Sequence, residues 1–275
     1  MGRQKKFGKM SLLVLLSYLV MILMNYLANA LPLNGLTTGE VSDIYSNLFA
    51  PAGYTFAIWG LIYLLLAFHV VYQLGFFRSG ERSEVTQLLR KVAVYFSVSS
   101  LANALWIVTW HYGKLSMSII LMLIILVSLI VINAMTVKAK LTTKEKFFIR
   151  LPFSVYFGWI TVATIANITA FLVDKNWAGF GLSDQTWTIL ILLVGTIIGL
   201  ITLLKNRLAT YGFVLVWAYI GIYNEHVSVS GWDDAYPNII LTVSLCIIVL
   251  ILVSLWVFIK KPTKRGRYGN IQRVR

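Results

Sequence analysis

The sequence predicts an all-α membrane protein, a polytopic bundle of about eight transmembrane helices. Three observations carry that expectation. Hydrophobic residues make up 59% of the 275 positions and charged residues 12%, whereas a soluble domain carries about 25% charge. The apolar residues gather into runs of roughly 20, long enough at 1.5 Å per residue to cross a bilayer. Lys and Arg collect in the short stretches between alternate runs, which is a topology signal. The net charge of +14 therefore does not point to nucleic acid. The single cysteine, Cys246, lies in an apolar run, leaving neither a disulfide framework nor a thiol metal site.

Residues 1–10 are basic, with Arg3, Lys5, Lys6 and Lys9. The apolar run over 11–28 is long for a signal peptide and lacks a clean small-residue cleavage site, so it is expected to remain as the first span. A loop over 30–50 holds Glu40 and Asp43 and no Lys or Arg. The second span covers 51–74. A charged loop with Arg78, Arg82, Arg90 and Lys91 leads to the third over 92–112. After a turn at Gly113-Lys114 the fourth span covers 116–137, and the basic stretch 138–150 separates it from the fifth over 151–172. Three more fit 186–204, 208–226 and 238–259, before a basic tail at 260–275. Eight spans put both termini on one side, together with every Lys and Arg except Lys114 and Lys175. The positive-inside rule makes that side the cytoplasm. No loop has room for an ATPase, kinase or nuclease module.

Polar and aromatic residues are not scattered through these spans. In the fifth, Tyr156, Trp159, Ala163 and Asn167 follow at intervals of 3, 4 and 4, one stripe of a helix at about 100° per residue. Ser99, Asn103, Trp106 and Trp110 repeat the pattern in the third, and Trp59 and Tyr63 share a face of the second. Asn25 and Asn29 end the first span, and Tyr219, Tyr223, Glu225 and His226 end the seventh. These stripes predict an aromatic cavity in the half of the bundle beneath the 30–50 loop. Tyr54, Trp110, Trp177 and Trp232 are expected as interfacial anchors, and Asn133 and His69 as packing residues. Asn103 and Asn167 suit either cavity lining or interhelical hydrogen bonding. Gly195 and Gly199 form a GxxxG, which suits a tight helix contact or a homodimer face. There is no HExxH, GxSxG, phosphate-binding glycine loop or pair of carboxylates within a span, so no catalytic constellation is present.

Three motifs resemble the TspO/translocator protein family, the tryptophan-rich sensory proteins. They are Pro51 through Ile58-Trp59 to Tyr63, Asn103-x-x-Trp106, and Tyr156-x-x-Trp159-x-x-x-Ala163-x-x-x-Asn167. The resemblance covers 11–173 and implies a five-helix membrane domain, to which three helices over 184–259 are added. It implies a pocket closed by the first loop and lined by Trp59, Tyr63, Asn103, Trp106, Tyr156, Trp159, Ala163 and Asn167. The ligand it implies is a flat, largely apolar molecule, porphyrin-like or similar, bound without catalysis and with no resident cofactor or metal. The first loop departs from the family pattern in having no tryptophan, and Ala50 precedes Pro51 where the family has a second proline. The expected setting is a bacterial plasma membrane, and the expected partners are lipid and the small molecule. An eight-helix secondary transporter coupling ions through Glu225 and His226 is the alternative.

Overall fold

The computed structural model describes residues 8–31, 33–78 and 82–260. The expected basic segments 1–10 and 260–275 fall outside these, apart from residues 8–10 and 260. The described chain is helical throughout: α1 Lys9–Ala30, α2 Thr38–Ile44, α3 Ile58–Gln73, α4 Ser83–His111, α5 Leu115–Lys138, α6 Thr143–Glu145, α7 Leu151–Asp174, α8 Asp184–Asn206, α9 Ala209–Val227 and α10 Pro237–Ile259. Every expected span is present as a helix, with two differences at the ends. α4 starts at Ser83, well before residue 92, because hydropathy marks where apolar residues begin while Glu84, Arg90 and Lys91 are good helix formers. The second span opens with a 3₁₀ turn, Gly53–Ala57, before α3.

Local chemistry explains the boundaries. Thr37 and Thr142 each form a capping box, with Glu40 and Glu145 respectively, and so start α2 and α6. α6 continues through one π-helical turn, Lys146–Arg150, directly into α7. Ser183 caps α8 by accepting from the Thr186 amide, and Arg207 ends it in the left-handed region at φ 51°. Arg150 donates to the carbonyls of Thr136 at 2.6 Å and Ala139 at 3.3 Å, so a cation closes the C-terminal end of α5.

Among the described residues, seven helical segments are long and apolar enough to cross a membrane. α9, with 19 residues, is the expected span that is too polar to stand among them. Three of its polar side chains face protein: Tyr211, Tyr219 and His226 are buried where α9 packs between α7 and α10. α4 lies between α1 and α5, and α7 touches α3, α5 and α9. Glycine allows the closest approaches. A Cβ on Gly158 would sit 2.8 Å from Val214 Cβ and 2.9 Å from the Tyr211 carbonyl oxygen. Cβ atoms on Gly195 and Gly199 would fall 2.7 Å from Tyr219 Oη and 2.5 Å from Leu215 Cδ1. The GxxxG therefore serves a tight contact within the chain, α8 on α9. Outward-facing Leu, Ile and Val on α1, α5 and α10 are exposed, as a surface bathed in hydrocarbon requires.

Candidate functional site

The segment over 33–57, which includes the 3₁₀ turn Gly53–Ala57, is a strap lying across one end of the bundle. Its first half is tied down to α1 and α4. The Thr38 amide donates to Asn29 Oδ1 at 3.2 Å, Trp110 Nε1 to the Thr38 carbonyl at 3.3 Å, and Asn34 Nδ2 to the His111 carbonyl at 3.1 Å. Within it α2 is held by its capping box, where the Thr37 amide and then its hydroxyl pull the Glu40 carboxyl below its usual pKa.

Beneath the strap lies a cavity of about 40 Å³. Trp59 from α3, Trp106 and Trp110 from α4 and Trp159 from α7 wall it, Ala163, Ala166 and Asn167 extend the α7 wall, and Thr38, Ser42, Asn47 and Pro51 cover it. The four indoles form one connected group. Ring centroids are 5.8 Å apart for Trp59 and Trp106, 6.0 Å for Trp106 and Trp110, and 6.0 Å for Trp59 and Trp159. Phe56 meets the Trp159 ring edge-on at 5.9 Å. Among the described residues the buried Trp159 Nε1–H has no hydrogen-bond partner.

The expected site residues separate into two layers. Trp59, Trp106, Trp159, Ala163 and Asn167 border the cavity. Asn167 also serves as interhelical glue, since its Oδ1 accepts from Trp106 Nε1 at 3.3 Å and its Nδ2 donates to Ser118 at 2.9 Å. Tyr63, Asn103 and Tyr156 are not in the cavity wall and form the layer behind Trp59. Tyr63 stacks on Trp59 at 5.5 Å and Tyr156 meets it edge-on at 5.9 Å. Asn103 accepts from Asn25 Nδ2 at 2.7 Å and donates to Tyr156 Oη at 3.1 Å, knitting α1, α4 and α7 together. A helical stripe identifies a shared face, and depth along that face decides which members reach the hollow.

Trp110 corrects the expectation of an interfacial anchor: it is 5% exposed because the strap folds over it and takes up its N–H. Tyr54 and Trp177 remain substantially exposed. Asn133 and His69 are packing residues, bonded to the Phe153 carbonyl at 3.1 Å and the Phe148 carbonyl at 2.9 Å. His226 is buried and bonds to the Leu48 carbonyl at 2.9 Å, so it belongs to the strap's attachment. Sequence reasoning missed Thr38, Ser42 and Asn47 as cavity residues. The Thr37-x-x-Glu40 pattern is the signal that could have revealed a helix there.

Long apolar helices packed into one bundle define a polytopic helical membrane protein. A family model for TSPO-like proteins matches residues 11–256, and the chain belongs to that family. The match runs past 173, where the resemblance of the motifs stopped, and takes in α8, α9 and most of α10. No curated protein and no solved structure matches the chain.

Proposed function

We propose that this protein binds a flat, largely apolar small molecule, porphyrin-like or similar, among the tryptophans beneath the strap. It does so without catalysis, as a sensor or translocator in a plasma membrane with both termini cytoplasmic. One observation carries the reading: four indoles surround one cavity, and the Trp159 N–H there is buried without a partner. An unsatisfied buried donor costs about 1–3 kcal/mol, so a ligand acceptor placed against it would offset that cost. Indole faces supply stacking area with little polarity. A hollow of about 40 Å³ holds little more than water, whereas drug-sized ligands occupy roughly 300–1,000 Å³. Binding on this reading therefore includes an opening step.

The test is a titration of the full chain with protoporphyrin-like and indole-like compounds against intrinsic tryptophan fluorescence. A saturable change is expected. Trp159→Phe, which keeps a stacking ring and loses the donor, should weaken binding about tenfold, the worth of one hydrogen bond near 1.4 kcal/mol. No saturable change with either compound class, and Trp159→Ala indistinguishable from the parent, would refute the proposal.

A further inference from the structure

The cavity walls come from α3, α4 and α7, yet the second half of the strap rests on α9. The Ala52 amide donates to the Gly221 carbonyl at 3.0 Å, Trp217 Nε1 to the Thr55 carbonyl at 3.0 Å, and His226 Nε2 to the Leu48 carbonyl at 2.9 Å. All three bonds end on strap main chain, so they set its path whatever side chains it carries. Gly221 is the seat itself: a Cβ there would lie 2.8 Å from Thr55 Cγ2 and 3.0 Å from Pro51 Cβ, and closer still to Thr55 Oγ1. The strap residues held this way adjoin the hollow directly, because Ala50, Pro51 and Phe56 border it.

We infer that α9 is part of the site: Trp217, Gly221 and His226 are positioning residues that set the aperture through which a molecule reaches the tryptophans. The inference rests on the ligand-site reading above. The other walls are poor candidates for movement. Buried side-chain bonds lock them at Asn25–Asn103–Tyr156 and at Trp106–Asn167–Ser118. The seat on α9 lies at the protein's edge instead. Trp217 is half-buried, and Tyr54, which meets its ring edge-on at 5.7 Å, is 46% exposed. Loosening this seat frees one side of the cover without separating any pair of packed helices.

A probe that needs no ligand tests this. In the full chain with Cys246→Ala, Val162→Cys places a thiol on the cavity wall at a position 3% exposed in the parent. Its reaction with a small methanethiosulfonate reagent reports opening. Trp217→Phe and His226→Phe each keep a ring and remove one bond to the strap. Each should speed the reaction about fivefold, the equivalent of a hydrogen bond near 1 kcal/mol, with the melting temperature lowered by no more than a few degrees. Rates equal to the parent's in both folded variants would overturn the inference. So would failure of both variants to fold, which would leave α9 a merely structural helix. Faster labelling together with no saturable ligand binding would sink the ligand reading alone and leave α9 controlling access to an empty hollow.

Discussion

Asn103 and Asn167 look equivalent in a list of polar residues within apolar helices, and the structure gives them different duties. Asn103 has no contact with the hollow and holds Asn25 and Tyr156. Asn103→Ala should therefore cost stability, about 1–2 kcal/mol given the modest worth of hydrogen bonds in membranes, while leaving ligand affinity within about twofold. Reversible unfolding in mixed micelles, set beside the fluorescence titration, checks both halves of that statement. Asn167→Ala frees Trp106 Nε1 at the cavity wall and should alter affinity as well. The aromatic and amide stripes were legible because a 3.6-residue period is written directly in the spacing. What spacing lacks is radial depth, so Tyr63 and Tyr156 looked as exposed to the hollow as Trp59. Trp110 sat on the same stripe as Asn103 and Trp106. Its burial depends on a cover arriving from residues far away in the chain.

Among elements, α2 and the pair α7–α9 carry the clearest consequences. Thr37→Ala removes the N-cap of α2 and should destabilise that short helix by about 1 kcal/mol, seen as faster amide hydrogen exchange over 38–44. Acid should act in the same direction. The Thr37 amide and hydroxyl hold the Glu40 carboxyl below its ordinary pKa. Its contribution is complete above the ordinary carboxylate range and disappears as pH falls through the lowered value. Exchange in α2 should accelerate on acidification, and Glu40→Gln should remove most of that response. At the α7–α9 crossing, Gly158→Ala would press a methyl against a backbone carbonyl at 2.9 Å and Val214 Cβ at 2.8 Å, while at the α8–α9 contact Gly199→Ala would meet the tip of Leu215. Backbone cannot swing aside as a leucine tip can, so Gly158→Ala should lower the melting temperature more. Hydrophobic runs made the long helices easy to find. α2 was not found, because seven residues of mixed polarity carry no periodic signal and only a capping pattern marks them.

At the scale of the whole molecule, α7 makes close contacts on both sides of the end of the fifth span. α7 is wrapped by both parts: Ser154 shares a hydrogen bond with Thr210 at 2.6 Å, Tyr211 bonds Thr161 at 3.3 Å, and the rings of Phe157 and Tyr211 lie 4.9 Å apart. A chain ending at Asp174 would bare the Gly158 face of α7 and leave the strap without its seat. It should therefore fail to give a monodisperse peak in size-exclusion chromatography and to bind ligand in the fluorescence titration, where the full chain is expected to do both. The sequence could not reveal this dependence. Trp217 and Thr55 are 162 residues apart, and nothing local to either one names the other.

The π-helical turn at Lys146–Arg150 has a consequence that concerns chain length rather than chemistry. A turn of this kind holds one residue more than the α-helix around it. Arg150 faces the end of α5 from this turn, and the stripe from Tyr156 to Asn167 faces the tryptophans a few residues later. Removing a single residue from 146–150 would restore a regular helix with the faces before and after the turn kept close to register, and would re-aim the residues inside the turn itself. Arg150, inside the turn, would be displaced from the carbonyls it closes, while the stripe from Tyr156 to Asn167 would still face the tryptophans. The length of this connection is therefore expected to tell at the closed end of α5 and not at the hollow.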